Sequence, residues 1–261
     1  MIKSHLVIDS IMLARPVAVL VYLPYTLVSD LNKAKIFWCF HCALKDGSMF
    51  SDELGLARYV DSKNVVLVAP DLPNSFFSDN YYESVGSFIS CELIPKIAAT
   101  FSLPKEKKQN FGLGISMGAF GCLNFALNNP EVLSEVFCMS GIYDFTLAHD
   151  DRIKSNPKQK NLIRFLKNLL PTVRSSDGTV KPECDIKKSI ETYLKKREKN
   201  YEGCALTIHL FSGDSDYLSF NQTHTMKELL KINNIHSEIK VDSGEHSVEY
   251  WNLVCSFIFD N

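Results

Sequence analysis

The chain has 261 residues, 46% of them hydrophobic and 22% charged, with a formal net charge of −2. That balance belongs to a soluble globular protein whose core is large enough to need no disulfide or metal support. It gives no global electrostatic reason to bind nucleic acid or an acidic membrane, and length alone leaves open one large domain or two small ones.

In chain order, the β-rich segments His5–Met12 and Val17–Leu23 flank Ala14-Arg15-Pro16 and predict an antiparallel pair. Asp9, Arg15 and Pro16 interrupt the apolar stretches, and no small-residue cleavage site follows, so this is not read as a secretion signal. The pattern then changes to short continuous apolar runs: Ile36–Phe40, Val65–Ala69, Asn110–Ile115, Val136–Met139, Leu206–Phe211 and Glu238–Val241. Such runs suit strands of a parallel sheet buried on both faces. Helices are expected between them at Asp52–Val60, Val85–Thr100, Gly118–Asn128, Thr223–Lys231 and Ser247–Phe259. The alternation predicts a doubly wound α/β sheet with right-handed crossovers.

The gap Tyr143–Gly203 is too long for a plain crossover. It holds an amphipathic stretch, Asn161–Leu170, a turn at Ser176-Asp177-Gly178 and a basic helix from Asp185 to about Lys199. It is read as a lid-like insertion, at about 143–203, over the C-terminal edge of the sheet, where such folds place their sites, the alternative being that it only pads the side of the sheet. The basic runs Lys105–Lys108 and Lys187–Lys199 are read as solvated faces. Eight cysteines are scattered without a disulfide framework, and no segment approaches the roughly 20 apolar residues needed to cross a bilayer. The expectation is a cytoplasmic chain with reduced thiols and no membrane partner. Self-association is common for such a surface, but no sequence feature marks the patch.

The chemistry concentrates at Gly114-Ile115-Ser116-Met117-Gly118, where a strand runs directly into a helix. A serine at that sharp turn projects Oγ upward, with the helix N-terminus aimed at the reacting centre. A nucleophile of this kind needs an acid and then a histidine, each just past a later strand. Leu206–Phe211 leads to Asp214 and Asp216, either of which could instead be a turn residue. Glu238–Val241 leads to a glycine-containing loop carrying His246, the one histidine of seven with that placement. His209 lies inside a strand as a packing residue, His224 and His236 are expected to be exposed, and His5 and His149 fit neither slot. The oxyanion hole draws one backbone donor from Met117 and another from the loop Phe40-His41-Cys42-Ala43, with Ala43 and Cys42 as the candidates. Cys39, His41 and Cys42 lack the second pair that a tetrahedral metal site requires.

The stretch Gly112-Leu113-Gly114-Ile115-Ser116-Met117-Gly118-Ala119-Phe120-Gly121, continuing through Ala126-Leu127 to Asn129-Pro130-Glu131, resembles the putative esterase family of α/β-hydrolases. That family includes tributyrin esterases, S-formylglutathione hydrolases, feruloyl esterases and mycolyltransferases. Pro70-Asp71, Ser75-Phe76-Phe77-Ser78-Asp79, Ser140-Gly141-Ile142-Tyr143-Asp144, Ser212-Gly213 with Asp216-Tyr217-Leu218, and Gly244-Glu245-His246 with Glu249-Tyr250-Trp251 are most similar to the bacterial tributyrin esterase branch. The resemblance implies one α/β-hydrolase domain over 1–261 and a Ser116, Asp216, His246 triad. It favours Asp216 over Asp214 by its distance from the glycine, and it implies short acyl esters as substrates with no cofactor. The chain departs from the family where His41-Cys42 stands for His-Gly, so Cys42 would be strained if that position needs a positive φ.

Phe76, Phe77, Tyr81, Tyr82 and Trp251 are candidates for the acyl or alcohol pocket, since aromatics supply area at little rotamer cost. The leading expectation is a serine carboxylesterase acting on a small-molecule acyl ester. Alternatives are an acyltransferase, an S-formylglutathione hydrolase-like thioesterase, and a non-catalytic binding protein on the same fold.

Overall fold

The computed structural model describes residues 1–25, 33–80, 83–145, 169, 172–200 and 202–260. Strands β1 (Ile2–Ser10), β2 (Arg15–Leu23), β3 (Lys35–Phe40), β4 (Val65–Pro70), β5 (Asn110–Ile115), β6 (Glu135–Met139), β7 (Thr207–Gly213) and β8 (Ser237–Asp242) form one sheet in the order β1-β2-β4-β3-β5-β6-β7-β8. β1 and β2 are antiparallel, from Ile2 opposite Leu23 to Ser10 opposite Arg15, and β2 meets β4 antiparallel. The pairs from β4 through β3, β5, β6 and β7 to β8 are all parallel. This is the α/β-hydrolase fold, a mostly parallel sheet with helices on both faces.

The continuous apolar runs are what a sheet covered on both sides requires. Val66 and Val68 of β4 enter one core cluster, while Val65, Leu67 and Ala69 enter the other. The first cluster packs under the helices Met117–Asn128, Ile186–Lys199 and Phe220–Ile232, and the second under Ala57–Lys63 and Val248–Asp260. No described helix is long and apolar enough to cross a membrane.

Two expected helices are built differently. The stretch Asp52–Val60 is not one helix: Met49–Asp52 and Ala57–Lys63 are separated by Gly55 at φ +59. The Leu56 amide donates back to the Phe50 carbonyl, and the left-handed glycine closes the first helix as a Schellman-type end. The stretch Val85–Thr100 runs as Val85–Phe88, a π turn over Ile89–Leu93, and Ile94–Phe101. Pro95 has no amide to donate and its ring crowds the carbonyl four residues back, so the helix widens immediately before it.

Within the insertion, Asn161–Leu170 lies outside the described residues except for Leu169, which is buried. The turn at Ser176-Asp177-Gly178 is present, with Gly178 at φ +84 and Asp177 Oδ1 accepting the Thr179 amide at 2.9 Å. The basic helix is Ile186–Lys199, capped by Asp185, whose side chain accepts the Lys187 amide at 3.0 Å.

Candidate active site

The strand β5 delivers the chain into the helix Met117–Asn128 with no intervening loop. Ser116 takes the whole turn at φ 55 and ψ −112, a conformation sparsely populated by non-glycine residues. A side chain at Gly114 would collide with the backbone of Gly118, and one at Gly118 would collide with the Phe40 carbonyl. Those glycines therefore let strand, helix and β3 converge on one point. The Ser116 amide donates to the Met139 carbonyl at 2.8 Å, which fixes the turn to β6.

β7 ends at Gly213, and Asp216 follows, fully buried. Its Oδ1 accepts the amides of Leu218 at 3.1 Å and Ser219 at 3.0 Å, while Oδ2 accepts the Ser219 hydroxyl at 2.6 Å. Burial by itself would raise the Asp216 pKa. The hydrogen bond and charge of His246, with hydroxyls from Ser219 and Ser140, outweigh it and hold the carboxyl below its ordinary value. Asp214, the other candidate acid, is exposed and accepts the Ser215 hydroxyl at 3.0 Å and the Gly244 amide at 3.2 Å. It braces the histidine loop.

After β8 the loop brings His246 between the other two, Nδ1 at 2.9 Å from Asp216 Oδ2 and Nε2 at 3.0 Å from Ser116 Oγ. An ionised carboxylate only accepts, so Nδ1 carries the proton and Nε2 faces the serine with its lone pair. Serine, imidazole and carboxylate thus form a continuous chain of hydrogen bonds from three separate strand ends. That arrangement can move a proton off Ser116 Oγ.

The loop after β3 is pinned by His41, which is fully buried. Its Nδ1 donates to the Cys42 carbonyl at 2.8 Å, and its Nε2 accepts the Leu72 amide at 3.2 Å. The second bond needs a neutral ring, and burial accordingly lowers the His41 pKa. Cys42 does not take a positive φ; within this loop Leu44 does, at φ 64. The expected strain at Cys42 is therefore absent. The Cys42 amide faces the Met49 sulfur at 3.4 Å, and burial pushes the thiol up to about 12, so it stays protonated. The amides of Ala43 and Met117 donate to no other described residue. Those two backbone donors are thus left open, whereas the Cys42 amide is turned to Met49.

Residues 10–254 match the family model described as Putative esterase. The chain belongs to that family. It is 25% identical over 218 residues to an acetyl esterase of Caldicellulosiruptor saccharolyticus, covering 81% of this chain and 77% of that protein. Among solved structures it is similar to the fluorophosphonate-binding serine hydrolase F of Staphylococcus aureus, with TM-score 0.80, 18% identity and coverage of 99% and 97% of the two chains. The S-formylglutathione hydrolase of the same organism matches with TM-score 0.77, 18% identity and coverage of 99% and 97%. The chain is thus a serine hydrolase of the carboxylic ester hydrolase type.

The pocket candidates of this esterase-family chain separate. Phe76 and Phe77 sit in the core at 2% exposure each, Phe76 edge-on to Phe120 with ring centres 5.7 Å apart. Trp251 is buried and stands edge-on behind His246 at 5.3 Å, its Nε1 donating to Ser140 Oγ at 3.1 Å. It is a wall of the histidine. Tyr81 and Tyr82 lie outside the described residues.

His209 stacks on Phe137 at 4.6 Å and sits between Glu135 and Glu238, away from the site; His224 and His236 are exposed. The described residues contain no group of three or more His, Cys, Asp or Glu able to hold a metal. A cavity of about 430 Å³ lies between the helices Ile186–Lys199 and Phe220–Ile232, and none of Ser116, Asp216 and His246 lines it. Sequence reasoning missed Ser140 and Ser219. Each is an ordinary serine whose signal lies only in following a strand end or preceding a helix by a residue or two.

Proposed function

We propose that this protein hydrolyses short-chain acyl esters in two steps through an acyl-enzyme on Ser116. The observation that carries the reading is His246, within hydrogen-bond distance of Ser116 at 3.0 Å and of Asp216 at 2.9 Å. His246 Nε2 takes the hydroxyl proton as Ser116 Oγ attacks the ester carbonyl, then returns it to the departing alcohol. Asp216 keeps the imidazole in the tautomer that leaves Nε2 free and stabilises the imidazolium between the two transfers. The amides of Met117 and Ala43 receive the negative charge on the carbonyl oxygen, and the helix that starts at Met117 adds its dipole. Water activated by His246 then releases the acid. No step calls for a cofactor. The preference for small acyl groups is supported by the resemblance to tributyrin esterases and by the similarity to an acetyl esterase.

A p-nitrophenyl ester series from acetyl to octanoyl, run on wild type and Ser116→Ala, tests this. Hydrolysis should fall with chain length and drop by at least about 10³-fold in the variant. Activity that survives in Ser116→Ala overturns the nucleophile. Equal rates at every length overturn the short-acyl preference. Faster turnover of thioesters, or transfer to added alcohols, would shift the assignment to a thioesterase or an acyltransferase.

A further inference from the structure

We propose that Ser219, bonded to Asp216 on one side, and Trp251, packed on His246 and anchored to Ser140 on the other, form a clamp that positions the Asp216–His246 couple. The proposal rests on the roles given above to Ser116, His246 and Asp216. None of the three clamp residues touches the reacting atoms, so they are positioning residues.

The first jaw comes from the loop and helix start after β7. Ser219 donates its hydroxyl proton to Asp216 Oδ2 at 2.6 Å while its amide donates to Oδ1 at 3.0 Å, so one residue grips both oxygens. Ser219 Oγ also lies 3.0 Å from Ser212 Oγ. Ser219 has only one hydroxyl proton and it points at the carboxylate, so Ser212 is the donor in that contact, in preference to the Gly213 carbonyl that lies 3.3 Å from its Oγ. The result is a directed chain, Ser212 to Ser219 to Asp216, whose three residues are all fully buried. Water has no access to replace either hydroxyl.

The second jaw comes from the end of β6 and the C-terminal helix. An indole N–H only donates, so Ser140 Oγ accepts from Trp251 at 3.1 Å and keeps its own proton for another acceptor. Ser140 is also the last and least of the influences holding the Asp216 carboxyl down, after His246 and Ser219. Ser140 has little freedom to turn elsewhere: it is fully buried at φ 52, and its amide donates to the Phe211 carbonyl at 2.8 Å. Trp251 also contacts the histidine, its ring edge-on to His246 at 5.3 Å and 85°. One tryptophan thus locates both the imidazole and the hydroxyl behind the acid.

The clamp has two effects. With Oδ2 held by the Ser219 hydroxyl, the remaining acceptor direction points at His246 Nδ1, which fixes the imidazole plane and aims Nε2 at Ser116. The Ser219 hydroxyl also draws on the carboxylate's charge and so sets part of the field that the imidazole meets. His246 is the one titratable side chain that shares a hydrogen bond with Asp216 among the described residues. Asp214, Asp242 and Tyr250 stand nearby without sharing a hydrogen bond with it.

The test is the pH profile of kcat/KM with p-nitrophenyl acetate for wild type, Ser219→Ala, Ser219→Thr, Trp251→Phe and Ser116→Ala. Ser219→Ala and Trp251→Phe should each lose about tenfold in kcat at unchanged KM, the size expected for one hydrogen bond. The acid limb should move upward, because the freed carboxylate holds the imidazolium more tightly. Ser219→Thr should restore both kcat and the limb. In proton NMR, the downfield resonance of His246 Nδ1–H should shift in both deletion variants, a readout that needs no turnover. Should Ser219→Ala not fold, Trp251→Phe keeps the ring and is judged by the same criteria. Wild-type kcat, acid limb and resonance in the folded variants, or a loss of thermal stability alone, would overturn the clamp. Activity surviving in Ser116→Ala would instead overturn the catalytic reading, and the resonance would still judge the clamp.

Discussion

Asp216 and His41 are both fully buried polar anchors, one on each side of Ser116, and they hold the site by opposite electrostatic means. Asp216 is an ionised group that gathers donors: two amides, a serine hydroxyl and the imidazole. His41 is a neutral group that offers one donor and one acceptor, each matched by a backbone partner. Deleting one atom around Asp216 changes the field at the reacting histidine. Deleting one around His41 changes only where a loop sits. Charge organises the proton-transfer side, and packing with a fixed tautomer organises the loop after β3.

The hardest blow to this contrast is Asp216→Asn, which removes the charge and keeps the shape. The imidazole should take the other tautomer, with Nε2–H facing Ser116, and kcat should fall on the order of 10⁴-fold. Steady-state kinetics with a melting curve as control checks this. A loss below about tenfold would show that Asp216 is merely a packing residue.

His41→Ala should act more weakly on rate and more visibly on stability. It leaves the Cys42 carbonyl and the Leu72 amide buried without their partner, which costs about 1–3 kcal/mol. Activity should fall by no more than about 10²-fold, the lower range for losing one oxyanion donor.

The pH dependence separates the two anchors. Both have pKa values lowered in the fold, His41 from near 6.5 and Asp216 from near 3.8. For a lowered pKa, the stabilisation is complete above the unfolded value and is lost as pH falls through the folded one. On acidification the melting temperature of wild type should therefore begin to drop below about 6.5 through His41, and further below 3.8 through Asp216. In His41→Ala the first drop should shrink; an unchanged melting profile above pH 5 would remove His41 from that account.

Cys42→Gly should have the smallest effect. With no positive φ at Cys42 there is no strain for glycine to relieve, so kcat should stay within about threefold of wild type. Stability should drop by about 1 kcal/mol as backbone entropy rises and buried contacts are lost. A large loss of activity would mean that the thiol orders the oxyanion loop.

Much of this was legible in the sequence because two periodicities and three strand ends carried it. The apolar runs specified a sheet covered on both faces, and the glycines around Ser116 specified a close strand–helix turn. His246 stood out by elimination among the histidines. The breaks were harder to read. Gly55 and Pro95 each sit in otherwise periodic stretches, and a single residue decided whether the helix ended or widened. The choice between Asp214 and Asp216 needed the family resemblance, because both follow the same strand and only tertiary contacts separate a bracing carboxylate from a buried one. Ser140 stood in a stretch resembling the family and Ser219 just before a helix, but neither showed its role, since a hydroxyl's partner is set by three-dimensional approach rather than by spacing.

The backbone of Ser116, at φ 55 and ψ −112, carries a consequence beyond catalysis. A non-glycine residue held there costs the folded state about 1–3 kcal/mol, and the surrounding sheet and helix must overcome that at every refolding. The residue that makes the molecule reactive is also one of the places where it would most easily become more durable. Robustness and reactivity therefore pull against each other at a single pair of torsion angles.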